Sequence, residues 1–389
     1  MVTIIRNGEV YTPDYIGKKD ILIAGEKIIS IDDHIDVTSL NIEVNEIEAN
    51  NHLVVPGFID SHVHIIGGGG EGGYQTRTPE LMLSEATTAG VTTIVGVIGT
   101  DGTTRTMPDL IAKAKGLVEE GISCFVHTGS YQVPIKSLTG SIQSDFLLID
   151  SIIGVGEVAI SDHRSSQPTV NELSRIASEA RVGGMLSGKG GIVNVHVGDG
   201  KQKLALLEEV IETTDIPISQ FVPTHINRNV ELFEAGVVYA KKGGYVDFTT
   251  STIPRFLEEG ETKCSRALKK MLDEGVSHSQ ITFTSDAQGS LPAFDSEGKF
   301  IGLKIGDMQS LFNEVRDAVL QENIPLEIAL HVITKNPASI LKLKEKGELT
   351  IGNDADLVLL SNNLKVETVL AKGRTMVRNK EIIMRGTFE

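Results

Sequence analysis

Two histidines stand at i and i+2, His62 and His64, at the end of the apolar segment V-V-P-G-F-I-D-S-H-V-H, residues 54–64. On a strand, side chains two apart share a face, so both imidazoles point the same way. That geometry suits two ligands of one metal ion. An isolated pair of this kind reads more simply as two partly buried core histidines, and only further ligands can overturn that account. Residues of suitable type close other strand-like segments: His196 in I-V-N-V-H, His225 in F-V-P-T-H and Asp286 in I-T-F-T-S-D. Glu157 lies inside the otherwise apolar V-G-E-V-A-I. Each has a plain structural alternative: a satisfied core histidine, a helix N-cap for the aspartate, a solvent-facing strand edge for the glutamate. Their joint placement at strand ends after His-x-His favours a metal rim. The remaining histidines, His34, His52, His127, His163, His278 and His331, fall in terminal segments, loops or helical patterns, or lack the strand-end register.

Nitrogen and oxygen donors without thiolate suit zinc or a similar borderline ion. Two such ions share a bridging carboxylate in many hydrolytic sites. Binding to a metal brings the pKa of water towards ~7 and so yields a nucleophile at neutral pH.

The elements that must hold these residues alternate. Strand-like runs cover residues 58–64, 92–97, 122–128, 155–160, 192–196, 218–225, 245–250 and 281–285. Helical patterns fall between them at 79–89, 108–120, 170–186, 203–213 and 230–242, and the first two open on proline, which suits a first helical turn. This alternation predicts an α/β fold, a (β/α)8 TIM-like barrel, in which chemistry sits at the C-terminal strand ends. A doubly wound open sheet is the second choice. The first 55 residues read as short strands: 3–5 and 9–11 around an Asn7-Gly8 hairpin turn, then 20–23 and 27–31 around Gly25. The last 45 are similar, with strands at 356–360, 366–371 and 375–377. Neither end supplies a core alone. Together, residues 1–55 and 345–389 are expected to form a small β-sandwich domain, with the catalytic barrel at 56–344 inserted between them.

Composition narrows the function. The chain has 389 residues, 40% hydrophobic and 23% charged, with a net charge of -16. That charge argues against a nucleic-acid surface, which needs clustered Lys and Arg. Two cysteines, Cys124 and Cys264, form no C-x-x-C pair, so neither a disulfide framework nor a thiolate zinc site is expected. No apolar run approaches the roughly 20 residues of a membrane span, and no basic-then-apolar leader opens the chain. A cytoplasmic protein is expected, with neither membrane nor nucleic acid as partner. The glycine run Gly67, Gly68, Gly69, Gly70 lacks the G-K-[ST] of a phosphate loop and the setting of a dinucleotide fingerprint. A loop whose backbone approaches a substrate, carrying the acid Glu71, is the better account.

At this point the chain resembles the metal-dependent amidohydrolase superfamily, and within it the isoaspartyl (β-aspartyl) dipeptidase family. The resemblance runs end to end. It is carried by P-G-F-I-D-S-H-V-H-I-I-G-G-G-G-E at 56–71, A-I-S-D-H-R-S at 159–165, P-T-H-I-N-R-N at 223–229, T-S-D-A-Q-G-S at 284–290 and G-N-D-A-D-L at 352–357. The first and last are widespread among amidohydrolases; the glycine run ending in Glu71, S-D-H-R and H-I-N-R-N are more particular. The resemblance implies that His62, His64 and Asp286 hold one zinc ion and His196 and His225 a second. It implies that Glu71 takes the substrate's α-amino group, that Arg164 and Arg228 take its carboxylates, and that Tyr131 polarises the scissile carbonyl. Thr100, Ser290 and the backbone at Gly69 and Gly70 complete the implied pocket. The implied reaction is attack of a metal-activated hydroxide on the side-chain amide of an L-isoaspartyl dipeptide, with Asp286 moving the proton to the leaving amine. A homo-oligomer is also implied.

One position departs from the family pattern. Its members bridge the two ions with a carbamylated lysine, and Glu157 stands there in this chain. A carboxylate offers the same two oxygens on a shorter stem. The backbone must therefore come nearer, or one ion is held more weakly and a single zinc does the work, as in sugar-amide deacetylases and D-aminoacylases. Two rival functions follow: another amidohydrolase, such as a D-aminoacylase or a hydantoinase-like ring opener, and a metal-binding protein without catalysis. The first is expected to lack the Glu71 and two-arginine clamp, the second an intact Asp286.

Overall fold

A computed structural model describes residues 2–38, 41–295 and 299–389. Its centre is a run of parallel strands that alternate with helices. We label them β1 (Phe58–Val63), β2 (Val91–Gly96), β3 (Ser123–Thr128), β4 (Ile152–Ile160), β5 (Ile192–Val197), β6 (Phe221–Thr224), β7 (Val246–Thr249) and β8 (Ile281–Thr284). The first six form one sheet in sequential order, and β7 pairs with β8. The sheet of six curls. At one seam Ile226, just past β6, donates its N–H to the Asp247 carbonyl of β7 at 3.2 Å. At the other, His64 donates its N–H to the Ala287 carbonyl at 3.0 Å, and Val63 and Ala287 form a parallel bridge. Asp247 fastens the second half from inside, accepting from the hydroxyls of Thr224, Thr282 and Thr284 at 2.6 Å each.

Each of these strands is buried along almost its whole length, as expected of parallel strands covered on both faces. The helices start and stop where local chemistry dictates. Met107–Glu120 opens with a Thr106/Asp109 capping box and Pro108, and closes at Gly121 with φ 118°. Val170–Ser187 opens the same way with Thr169 and Glu172. Several boundaries differ from the sequence reading: β4, expected at 155–160, already begins at Ile152. The 79–89 pattern yields a helix only at Leu83–Thr88, and the 218–225 run begins as the one-turn 3-10 helix Ile218–Gln220 before β6.

The two chain ends meet in a nine-stranded mixed sheet. Strands Leu357–Ser361, Val366–Ala371, Arg374–Arg378 and Glu381–Ile382 join it from the C-terminal end, and Leu357–Ser361 lies antiparallel to His52–Pro56. A separate apolar core, including Ile5, Ile21, Ile28, Leu357 and Leu370, fills the space beneath it. The expected Asn7-Gly8 hairpin is absent. Val2–Tyr11 is one continuous strand, and Asn7 at φ 59° forms a bulge between Ile5 and Gly8. The Asn-Gly pair supplies the left-handed backbone a bulge needs, and the Asp20 carboxylate accepts from the Asn7 N–H at 3.0 Å. The bend also splits the strand between two partners: residues 2–6 pair with Val44–Glu48, and Glu9 and Val10 with His52–Pro56. Hairpins do form around Gly25 and Gly373.

The G-N-D-A-D-L segment works as a clasp between the two parts. Buried Lys346 donates to Asp354 at 2.7 Å, and to Asp356 and the Ser123 hydroxyl of β3 at 2.6 Å each. Asp356 in turn accepts from the Lys372 N–H, and its carbonyl accepts from Gly57 N–H just before β1.

Candidate metal centre and its approach

The C-terminal ends of β1, β4, β5, β6 and β8 converge on one point. His62 and His64 leave β1 together, and His196 is the penultimate residue of β5. His225 follows β6 by one residue and Asp286 follows β8 by two, both with left-handed backbone, φ 65° and 54°. That conformation is uncommon outside glycine and turns each chain sharply at its ligand.

Glu157 reaches the same point through a bulge. Val193 of β5 pairs with Val155, but Val195 pairs with Val158, so Gly156 and Glu157 together face Asn194. Only glycine fits before the glutamate: φ at Gly156 is 141°, and a Cβ there would lie 2.5 Å from the Asn194 carbonyl oxygen. Bulges re-aim side chains. This one carries the short carboxylate to the middle of the imidazoles. Its Oε1 is 3.6 Å from His64 Nε2, and its Oε2 is 3.3 Å from His62 Nε2, 3.3 Å from His196 Nδ1 and 3.9 Å from His225 Nε2. Asp286 Oδ1 closes the set at 3.0 Å from His64 Nε2 and 3.6 Å from His62 Nε2.

These groups fit a cation. Ligand atoms of His62, His64 and Asp286 lie within 4.8 Å of one another, as do those of His62, Glu157 and His225. His62 Nε2, both Glu157 oxygens and Asp286 Oδ1 are buried with no directed hydrogen bond. Each such atom costs about 1–3 kcal/mol when left unpaired, and they face one space. The rings are held with the outer nitrogen anchored: His62 Nδ1 is 3.1 Å from Asn194 Oδ1, His196 Nε2 is 2.9 Å from Asp162 Oδ2, and His225 Nδ1 is 2.5 Å from Thr249 Oγ1. Such contacts fix the tautomer and leave the inner lone pair for a metal.

Electrostatics agree with the geometry. Burial opposes charge on His62, yet Glu157 beside it, with Asp286 and Asp247, pushes its pKa up to about 10, so the cluster draws positive charge. Burial, with the Arg228 guanidinium nearby, takes His225 down to about 3 and leaves its lone pair free. Burial alone would protonate Glu157 and Asp286. The surrounding imidazoles, His62 foremost for Glu157 and His64 for Asp286, hold both well below the usual carboxylate range.

A cavity of about 870 Å³ opens over the rim. Of the residues assigned to substrate, Gly69, Glu71, Thr100, Tyr131, Arg164, Arg228 and Ser290 line it. Gly70 is not part of the lining; it turns the loop at φ 107°. Glu71 Oε1 accepts from Thr100 Oγ1 at 2.8 Å and from Arg164 Nη1 at 3.2 Å. The Tyr131 hydroxyl lies 2.8 Å from His196 Nδ1, at the edge of the metal space. Burial and the Glu157 charge raise the Tyr131 pKa far above its ordinary value, so the phenol keeps its proton. His163 shares the cavity wall, with its side chain 87% exposed.

Besides the anchors Asn194 and Thr249, two more residues of this site escaped the sequence reading. Asp162 accepts from His196 on one side and, through both oxygens, from Arg164 Nε at 2.9 Å and Nη2 at 2.7 Å on the other. Burial works against its charge, but these hydrogen bonds hold its carboxyl well below the usual range. Its position inside S-D-H-R was the available signal. Arg105, only 4% exposed, holds the glycine loop through the carbonyls of Ile66, Gly68 and Gly69 at 3.2, 2.7 and 3.3 Å. Nothing in the sequence marks it.

A ring of imidazoles and carboxylates at parallel strand ends is the arrangement of a metal-assisted hydrolase. Residues 53–376 match the amidohydrolase family, and the chain belongs to it. A β-aspartyl dipeptidase from Fervidobacterium islandicum AW-1, solved in complex with the β-Asp-Leu dipeptide, is 44% identical, covers 98% of both chains and superposes with a TM-score of 0.89. A dihydroorotase from Lactobacillus gasseri is 25% identical over 96% of this chain and 93% of its own. A D-hydantoinase from Thermus sp., 18% identical with a TM-score of 0.68 over 99% of this chain and 97% of its own, shares the fold.

Proposed function

We propose that this protein is a metal-dependent isoaspartyl (β-aspartyl) dipeptidase. The observation that carries the reading is the Glu71–Arg164 pair, 3.2 Å apart at the mouth of a cavity whose floor is the His/Glu/Asp rim. An acid and a guanidinium side by side suit the α-amino and α-carboxylate groups of an isoaspartyl unit, whose scissile amide then points to the floor. The 44% identity to a β-aspartyl dipeptidase supports the same reading.

Zinc is the cofactor the donor set favours, and His62, His64, Glu157, His196, His225 and Asp286 would hold two ions per chain, or a single one if the short Glu157 stem leaves the second site weak. Such ions supply Lewis acidity and a water acidic enough to attack at neutral pH. The chain's own residues do the rest. Glu71, steadied by Thr100, accepts from the α-ammonium group. Arg164 and Arg228 bind the carboxylates. Ser290 and the loop at Gly69 and Gly70 confine the acyl portion. Tyr131, kept protonated, donates to the carbonyl oxygen as negative charge develops there. Asp286, kept ionised, accepts a proton from the attacking water and returns it to the leaving amine. Products are aspartate and a free amino acid.

The architecture that accompanies this reading is a closed (β/α)8 barrel at 56–344 and a termini-built β-sandwich from 1–55 and 345–389. A cytoplasmic homo-oligomer completes it. Among the described residues no helix is long and apolar enough to cross a membrane.

The test is metal content and turnover of β-Asp-Leu and of N-acetyl-D-leucine on the same preparation. Bound zinc with selective hydrolysis of β-Asp-Leu is expected. Metal-loaded protein that cleaves only the N-acyl compound points to a D-aminoacylase instead.

A further inference from the structure

A run of four glycines has no side chains of its own with which to hold a shape, yet Gly68 and Gly69 line the cavity. Part of the hold is close backbone packing. A Cβ on Gly67 would come 2.3 Å from the Thr78 carbonyl oxygen, and one on Gly69 2.6 Å from that of Thr76. The rest comes from Arg105, which stands just before the Thr106 cap of the helix Met107–Glu120 and so has a rigid base. Each of its three nitrogens is bound to a loop carbonyl: Nε to Ile66, Nη2 to Gly68 and Nη1 to Gly69. The carboxylate nearest to it, Asp101, is 3.8 Å away and is already paired with Arg77 at 2.7 Å. A buried guanidinium is therefore met by peptide oxygens of the loop rather than by an acid of its own.

The Gly68 oxygen accepts from Arg105 at 2.7 Å and from the Thr78 N–H at 3.0 Å. In a trans peptide the N–H points opposite to the C=O, so the Gly69 N–H faces away from Arg105. Among the described residues that N–H donates to no backbone group. Hydrogen bonds to the oxygen of a peptide polarise it and make its N–H a stronger donor. Gly69 stands two residues before Glu71 and beside Ser290, where a Cβ on it would lie 3.0 Å from Ser290 Cβ.

We propose that Arg105 is a positioning residue for recognition of the α-carboxylate of the isoaspartyl unit. It does not touch the substrate; it sets the Gly68–Gly69 peptide so that the Gly69 N–H donates to that carboxylate beside Arg164. The proposal rests on the dipeptidase reading. The α-ammonium and α-carboxylate groups share one carbon, so with the first on Glu71 the second is within reach of the same loop. The task needs a planar fork: the single nitrogen of lysine cannot meet three carbonyls spread over residues 66–69.

The experiment measures kcat and KM for β-Asp-Leu in the zinc-loaded full chain, in Arg105→Lys and in Arg105→Met, with zinc content and a melting curve on each preparation. β-Ala-Leu, the same dipeptide without the α-carboxylate, is added as a competitor, so its inhibition constant is read whether or not it is cleaved. Both variants are expected to raise KM for β-Asp-Leu about tenfold to hundredfold, the loss of one hydrogen bond to a charged group. The inhibition constant of β-Ala-Leu is expected to change less than about threefold, with kcat and zinc content within about twofold of wild type. An unchanged KM in either variant, equal losses on both compounds, or a fall in kcat or zinc at constant KM overturns the positioning role. Failure of both variants to fold overturns it too and assigns Arg105 to stability alone. Zinc-loaded wild type that cleaves no isoaspartyl dipeptide overturns the dipeptidase reading itself.

Discussion

The metal rim and the cavity mouth are built by different means. Rim side chains sit on or just past strand ends, are almost fully buried apart from Asp286, which keeps 21% of its side-chain surface, and are anchored by second contacts such as Asn194 on His62 and Thr249 on His225. Mouth side chains come from loops and keep partial exposure: Glu71 retains 39% and Arg164 28% of their side-chain surface. Hydrogen bonds among themselves, rather than strand register, place them. Register fixes atoms to a fraction of an ångström, as metal coordination requires, whereas loops can adapt to a substrate that enters and leaves. Rim variants should therefore alter metal content or the chemical step. Mouth variants should alter substrate capture with the metal in place.

The largest effect is expected for Glu157→Ala. It removes both oxygens that face all four imidazoles. Metal analysis should show at least one ion lost per chain, and hydrolysis should fall to background. Full occupancy of two sites in this variant would remove Glu157 from the bridging role and break the contrast at its centre.

Asp286→Asn comes next. The amide keeps the shape but accepts no proton, so kcat should drop about 100- to 10,000-fold with metal still bound. Stopped assays at saturating substrate, with metal measured in parallel, check this. Turnover near that of the wild type would assign the proton transfer elsewhere.

Asp162 is where the two regions touch, since one carboxylate anchors both His196 and Arg164. Asp162→Asn should therefore behave as a rim and a mouth variant at once. Metal affinity is expected to weaken about 10- to 100-fold, as for other residues behind a ligand, and KM to rise even at saturating zinc. A change in only one of the two quantities would show that the regions are independent at this point.

The same division governs what could be read from the sequence. The convergence of His62, His64, His196, His225, Asp286 and Glu157 could be anticipated because period-2 strands ending in polar residues leave a pattern in the chain. The left-handed turns at His225 and Asp286, and the Gly156 bulge that lets a glutamate stand where a longer residue is usual, left none. They arise from pairing with other strands. Arg105 and Asp162 act on partners distant in sequence or through a neighbour's side chain, so no local spacing announces them. Asn7-Gly8 shows the opposite failure. Its local signal was strong, but the pair sits mid-strand, and the left-handed backbone it favours serves a bulge as well as a turn.

The smallest effect tests the mouth alone. Thr100 donates to Glu71 at 2.8 Å on the exposed side of the cavity. Thr100→Val keeps the shape and removes the donor. One solvent-accessible hydrogen bond contributes about 0.5–1.5 kcal/mol, so kcat/KM for β-Asp-Leu should fall about threefold to tenfold. Most of the loss should appear in KM, because Glu71 also keeps its contact with Arg164 and the rim is untouched. Zinc content should equal that of the wild type. A Thr100→Val protein that loses zinc would mean that the mouth supports the rim. The separation between a register-built centre and a loop-built entrance would then give way to a single coupled site.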